Sequence, residues 1–334
     1  VINIAIIGAG LSGLTAANML KDRFSITLFD KSRGVGGRLA TRRSHPYNFD
    51  HGAQFFSPKT DDFKAFIAPM IQAGVIEPWE ARFAEIDGRK VTQQWQWDTQ
   101  KPHYVGVPGM NAIGKYLAKG LEVKLNTPVK SIKQIGENWH LDDEHGNALG
   151  AFDWVISTIP PKQAAQLVPA NDPVQQILEA TSMSGCFSVM LGFETPLPLA
   201  FDAALVVNEN ISWISANQTK PGRENSYSLL VHSTNKWADA HLDDDREDAL
   251  KYLCEHASEI VGHDLSKAVH KSIHGWRFAN IEKQSGPSHF CDAQRKIALC
   301  GDYFIQGRME AAFTSGKQVA QTVLSAASQG NTNA

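Results

Sequence analysis

The chain lacks several features that would assign it to a familiar class. Its four cysteines, Cys186, Cys254, Cys291 and Cys300, stand far apart with no CxxC pair, which excludes a disulfide framework or a cysteine zinc site as the organising feature. No metal site is expected. Nothing in the composition argues for a membrane span, and the N-terminus opens directly on a short apolar strand instead of the charged and long apolar regions of a secretory signal. A basic excess is missing too: the net charge is −3 with histidine neutral, where neutralising the phosphates of a nucleic acid needs many cations. There is no internal repeat and no long linker, and only the tail from Ser328 reads as disordered. The expectation is a cytoplasmic protein with reduced cysteines, most of them buried, and no nucleic-acid or membrane partner; the oligomeric state is open.

What is present is ordinary globular composition: 334 residues, 43% hydrophobic and 20% charged, enough for two domains or for one α/β domain carrying an insertion. Ile2 to Ile7 is a β-branched run entering Gly8-Ala9-Gly10-Leu11-Ser12-Gly13, and Leu14 to Leu20 has helical character. Ser25 to Phe29 reads as the next parallel strand and ends at Asp30, closing a βαβ unit of about thirty residues. Helices are predicted over Phe63–Gly74, Ile113–Lys119, Asp243–Val261 and Ala311–Ala327, the last packing back on the opening unit. Strands are predicted over Phe83–Trp97, Leu121–Leu125, Val129–Ile135, Trp139–Asp142, Trp154–Thr158, Cys186–Phe193, Ala203–Val207, Ile211–Ala216, Ser226–Ser233 and Lys296–Cys300. The buried-strand pattern at Trp154–Thr158 implies a return to the nucleotide sheet.

The chemistry begins at the glycines. A pyrophosphate needs close backbone approach and unsatisfied N–H groups at a helix N-terminus, which Gly8, Gly10 and Gly13 permit by having no side chains. An acid at the end of the following strand accepts hydrogen bonds from a ribose diol, and Asp30 holds that place. The same unit suits NAD or FAD, so other segments must decide between them.

Three of them do. Gly34-Val35-Gly36-Gly37-Arg38, the segment Asp50-His51-Gly52-Ala53-Gln54-Phe55-Phe56, and Ile297-Ala298-Leu299-Cys300-Gly301-Asp302 occur in the order of the FAD-dependent amine oxidase and phytoene desaturase superfamily, which the chain resembles. Within it, Phe29-Asp30-Lys31, Val107-Pro108-Gly109-Met110, Leu230-Val231-His232-Ser233, Trp276-Arg277-Phe278-Ala279 and Gly301-Asp302 through Ala312 resemble the renalases, especially the bacterial ones. The resemblance implies an α/β fold: a Rossmann-type FAD-binding domain with a β-rich substrate domain, as in amine oxidases and p-hydroxybenzoate hydroxylase. The expected division is 1–60, 105–160 and 290–330 for the cofactor, and 61–104 and 161–289 for the substrate.

FAD would be held by Gly8, Gly10, Leu11, Ser12, Gly13, Asp30, Lys31, Gly37, Arg38, Gln54, Phe55, Val129, Gly301, Asp302, Glu310 and Ala311, with Asp302 on the ribityl chain. It would be bound non-covalently, because no cysteine follows Asp302. A positive helix end and N–H donors near the flavin pyrimidine favour its anionic reduced form.

The implied reaction oxidises the 2- or 6-dihydro isomers of NAD(P)H to NAD(P)+, with O2 reduced to hydrogen peroxide. A dihydropyridine loses hydride without losing a proton from nitrogen, so the protein's task is placement more than acid or base work. Trp276, His232 and Arg277 are the candidate catalytic residues; Phe56, Ser57, Trp95, Trp213 and Met309 are candidates for the substrate. Arg38 and Arg308 are further candidates for phosphates or a carboxamide. Against these stand blander readings: packing for the tryptophans, a core histidine at His232, an ion pair at Arg277. A conventional amine oxidase is the alternative activity, and a flavin-binding sensor the non-catalytic one.

Overall fold

Asn3–Ile7 buries every residue after Asn3, as a parallel strand covered on both faces does. In the computed structural model, which describes residues 1–223 and 226–330, the chain forms two compact units. The first comprises Val1–Gly37, Gly114–Met183 and Ile281–Ala334, the second Arg38–Ile113 and Ser184–Asn280.

The first unit is built on a six-stranded sheet in the order His289–Asp292, Ile297–Cys300, Trp154–Ser157, Asn3–Ile7, Ser25–Phe29, Glu122–Lys124. All neighbours are parallel except the edge strand His289–Asp292. The pairings Ile4↔Trp154 and Ile6↔Ile156 bring the predicted returning strand beside the opening one. The chain leaves Asn3–Ile7 on one side through the helix Leu11–Leu20 and comes back on the other at Trp154–Ser157. A topological switch point therefore falls at the C-terminal end of the opening strand, where ligands of such sheets bind.

The C-terminal helix, Met309–Gly330, packs on Leu11–Leu20 as expected. Gly316 makes this close approach feasible, since a Cβ there would fall 2.4 Å from the carbonyl oxygen of Ser12, and Ser12 Oγ donates to the carbonyl of Ala312 at 2.8 Å. The helix continues through Ser328 to Gly330, where disorder was expected; residues 331–334 lie outside the described residues. A three-stranded antiparallel sheet, Val129–Ile135, Asn138–Asp143 and Ala148–Phe152, shares a core with Val174, Leu178, Val155 and Leu299. That core draws residues 161–183 into the first unit, although the sequence reading gave them to the substrate domain.

In the second unit a seven-stranded sheet runs His270–Asn280, Ser184–Phe193, Tyr227–Ser233, Ile211–Ala216, Ala203–Val207, Arg82–Asp87, Lys90–Gln96. The single strand predicted over Phe83–Trp97 is a hairpin turning at Gly88, whose φ of +61° suits glycine. His270–Asn280 carries no apolar alternation and was not expected as a strand. The hairpin Thr41–Ser44 with Tyr47–Asp50 belongs here too, because Tyr47 and Phe49 bury against Met190 and Leu230.

The two faces of this sheet differ sharply. One carries Phe187, Val189, Leu191, Ile214, Leu229 and Val231 beneath the helices Asn235–His241 and Arg246–Val261. Alternation puts Ser188, Trp213, His232, His274, Trp276 and Phe83 on the other. The helix predicted from Asp243 starts at Arg246, where Asp245 caps it by accepting from the amides of Glu247 and Asp248 at 2.7 and 3.2 Å.

Candidate functional site

The sequence candidates fall into two groups, one in each unit. In the first unit, Gly8 follows the opening strand with φ +107°, and a Cβ on Gly13 would stand 2.1 Å from the Gly8 carbonyl oxygen, so both glycines are required by the turn itself. Gly10 differs. A Cβ there would meet no protein atom within 4 Å, so packing does not call for glycine, whereas close approach of a diphosphate does. Gly10 caps the helix Leu11–Leu20 without a side-chain hydrogen bond, and no acid lies in the first turn, which leaves the amides of Leu11, Ser12 and Gly13 suited to an anion.

Asp30 performs a local task as well. Its Oδ2 accepts from the amide of Ala9 and its Oδ1 from that of Ser32, both at 2.8 Å, so the carboxylate ties the end of the second strand to the glycine turn. Each oxygen retains a lone pair for a ribose hydroxyl. The amides of Asn126 and Thr127 bond the carbonyls of Ser32 and Asp30, which brings the segment leading to Val129 alongside Asp30 and the exposed Lys31.

The second glycine motif folds onto the first. The Gly36 amide donates to the carbonyl of Ala9 at 2.8 Å, and Gly36 bridges Gly10. At the other end of the sheet's chemistry, Gly301-Asp302 follows the strand Ile297–Cys300, with the Gly301 amide donating to Ser315 Oγ at 2.8 Å and Asp302 buried. Met309, Glu310 and Ala311 form the first turn of the C-terminal helix, whose positive dipole end suits electron-rich groups. These residues fit FAD: a diphosphate cradle, a ribose acid and a buried carboxylate share one sheet.

In the second unit, aromatic rings collect on the non-helical face of the sheet. Phe55 lies 4.9 Å from Trp97, 5.2 Å from His103 and 5.4 Å from Trp213, and Trp97 stacks on His103 at 3.8 Å and on Phe83 at 4.9 Å. Trp95, 42% exposed, meets Phe83 at the rim. Trp276 donates its indole N–H to the carbonyl of His51 at 2.8 Å and stacks with the His51 ring, while His274 meets both edge-on.

The histidines here are held neutral. Burial first, then the charge of Lys220 and of His51, depresses His232 to about 3. Burial, His274 and Arg42 bring His51 to about 4, and burial with Arg42 and Arg246 brings His274 to about 4.

Beneath lies a charge cluster that sequence reading missed. Asp50, Lys220 and Arg223 have almost no exposed side-chain surface, and Asp50 Oδ2 accepts from Arg223 Nη2 at 2.6 Å and from Lys220 Nζ at 3.4 Å. Burial works to raise the Asp50 carboxyl, but Lys220, Arg223, the Met110 amide and the Thr41 hydroxyl together keep it below its usual value. Lys220 is pushed down to about 8 by burial, against the pull of Asp50. The signal available in the sequence was Thr219-Lys220-Pro221-Gly222-Arg223, which reads as an exposed turn.

Several candidates do not join these groups as expected. Arg277 is exposed and bonds Asp243, matching the ion-pair alternative. The Gln54 amide is saturated: Nε2 donates to the carbonyls of Asp50 and Gly52, and Oε1 accepts from Ser215 and Lys220, leaving the side chain no capacity for a cofactor. Phe56 is buried between Phe63 and Tyr104, a packing position and not a substrate wall. Arg38 donates to the carbonyl of Ala279 at 2.9 Å, Ser57 is half-buried, and Arg308 is exposed. Of the cysteines, Cys254 and Cys300 are buried, Cys186 and Cys291 half-buried, and none is in a disulfide.

Among the described residues no helix is long and apolar enough to cross a membrane. No group of three or more His, Cys, Asp or Glu among them could hold a metal ion.

Comparison with known proteins agrees with this architecture. Residues 83–324 match the family of flavin containing amine oxidoreductases, and residues 6–69 match an NAD(P)-binding Rossmann-like domain. Prenylcysteine oxidase 1 of Bos taurus is 35% identical over 79 residues, covering 22% of this chain and 15% of that protein. The fold is shared with a putative protoporphyrinogen oxidase from Exiguobacterium sp. 255-15, at a TM-score of 0.77 and 14% identity over 96% of this chain and 98% of the other. Wild-type putrescine oxidase bound to putrescine superposes at a TM-score of 0.70 with 13% identity, over 97% and 99% of the two chains. The chain belongs to the flavin-containing amine oxidoreductase family and is an FAD-dependent oxidoreductase.

Proposed function

We propose that this flavoprotein is a renalase-like oxidase that converts 2- or 6-dihydro isomers of NAD(P)H to NAD(P)+. The observation carrying this reading is the neutral aromatic face of the second unit, where Phe55, Trp97, Trp213 and Trp276 accompany histidines that stay uncharged at neutral pH. When bound on the glycine turns and near Asp302, FAD would supply the two-electron chemistry of the reaction, with O2 as the final acceptor and hydrogen peroxide as its product. Loss of hydride from a dihydropyridine creates an aromatic pyridinium and needs no base. A face whose histidines are kept neutral and weakly basic therefore suits it, and the rings serve to orient a planar donor. Asp50 is outnumbered by Lys220 and Arg223, a positive bias that favours an anionic dinucleotide over a protonated amine.

Amine oxidation is the second reading. It draws on the fold shared with putrescine oxidase and on Glu85, which alternation places on the aromatic face near Phe83. Anaerobic mixing of the purified holoprotein with each donor separates the two. Rapid flavin bleaching by 2- or 6-dihydro isomers, with slow bleaching by ordinary 4-dihydro NAD(P)H and none by primary amines, is the expected result. Bleaching by amines alone would overturn the proposal.

A further inference from the structure

The seven-stranded sheet carries a row of unsatisfied polar atoms that the reaction chemistry does not use. Trp213, His232 and Ser188 are direct cross-strand partners on three adjacent strands, Trp213↔His232 and His232↔Ser188. The indole Nε1 of Trp213, the Nε2 of His232 and the Oγ of Ser188 are all buried without a hydrogen-bond partner. Three such orphans in one row call for a partner, because a buried polar atom left unpaired has lost its water without compensation.

Their roles are complementary. An indole N–H only donates. Neutral His232 carries a single ring proton, and in the tautomer with that proton on Nδ1 the unpartnered Nε2 is a bare lone pair that accepts. A donor next to an acceptor, on a face lined by aromatic rings, matches a neutral group that offers an oxygen acceptor and an N–H donor in one plane. A carboxylate in that place would set its second oxygen against the lone pair of His232.

The geometry points to Trp213 and His232 as the subsite for the carboxamide of the substrate's nicotinamide ring, with Trp213 donating to the amide oxygen and His232 accepting from the amide nitrogen. This rests on the dinucleotide reading above. Ser188, on the next strand, completes the row as a hydroxyl able to serve either partner.

The test is calorimetric titration of the FAD-loaded protein with three oxidised dinucleotides: NAD+, its nicotinic acid analogue, and its 3-acetylpyridine analogue, which keeps the acceptor oxygen but has no N–H. The expected order is NAD+ tightest, with each analogue weaker by about tenfold or more, the weight of a buried hydrogen bond. Trp213→Phe should weaken NAD+ and the acetyl analogue alike. His232→Phe should weaken NAD+ and leave the acetyl analogue unchanged, because that ligand has nothing for the lone pair to accept. Equal binding of all three ligands to the unaltered protein would overturn the assignment without depending on any variant. If Trp213→Phe or His232→Phe instead altered the flavin spectrum or content with no dinucleotide present, the row would belong to the cofactor and the assignment would fall. The proposed function fails separately: dihydro isomers that leave the flavin oxidised would sink it, whereas rapid reduction with indifferent analogue binding would sink the carboxamide subsite alone.

Discussion

The carbonyl oxygen of His51 accepts the indole N–H of Trp276 at 2.8 Å, and the His51 ring stacks with that same indole at a centroid distance of 5.2 Å. Residue 51 thus sets both the height and the tilt of Trp276, which places one aromatic wall by way of the backbone that also carries Asp50. Positions far apart in the sequence are thereby held together on the aromatic face of the second unit's sheet.

Truncating that wall should affect turnover more than cofactor retention. Trp276→Ala is expected to slow flavin reduction by its donor with flavin content preserved, and Asp302→Ala to lower flavin content first. Absorbance of the purified variants and their anaerobic reduction rates would decide. Unaltered flavin content and kinetics in both would remove the roles given to these residues.

Gly10 and Gly13 should part company on substitution with alanine. A Cβ at Gly13 collides with the Gly8 carbonyl at 2.1 Å and should destabilise the apoprotein, while one at Gly10 meets no protein atom within 4 Å. Gly10→Ala should therefore leave apoprotein melting almost unchanged and still impair FAD uptake. Normal uptake by Gly10→Ala would show that no diphosphate approaches that turn.

Breaking the buried charge cluster should depend on which charge is removed. Asp50→Asn leaves Lys220 and Arg223 buried without a counter-ion and is expected to cost about 3 to 5 kcal/mol. Lys220→Met leaves the Asp50 to Arg223 pair intact, at 2.6 Å, and should cost distinctly less. Urea denaturation of the two variants measures the difference; equal losses would mean that Lys220 is as necessary a partner of Asp50 as Arg223.

Acid should unfold the protein over a window set by its histidines. His51 and His274 are depressed to about 4 and His232 to about 3, chiefly by burial, from 6.5. Because the unfolded chain binds protons that the folded chain does not, the stability these groups contribute is fully present above pH 6.5. It is lost as pH falls through that window toward 4. Denaturation midpoints across the range should show His232→Asn with a shallower pH slope than the unaltered chain, by up to one proton. An identical slope would mean that His232 is already protonated in the fold.

The opening βαβ unit could be read in advance because it rests on local chemistry, and the return of Trp154–Ser157 and the packing of the C-terminal helix because a wholly apolar strand and a small-residue helix each need cover, although the contacts that supply it are long-range. Glycine permits a turn, an apolar run needs cover on both faces, and small residues allow helices to approach. The sequence by itself also determined that Gly8, Gly10, Gly13 and Asp30 would stand together, since fewer than thirty residues separate them. Tertiary structure decided the aromatic face of the second unit. His270–Asn280 has a strand's place without a strand's alternation, and it is held there by pairing along Ser184–Phe193, a long-range contact that no local pattern encodes. Likewise Lys220 and Arg223 read as turn residues until folding buries them against Asp50, and Arg277, adjacent to Trp276, points its charge to solvent. Short-range backbone chemistry is written in neighbouring residues; which polar groups end up buried, paired or left without partners depends on which distant strands meet.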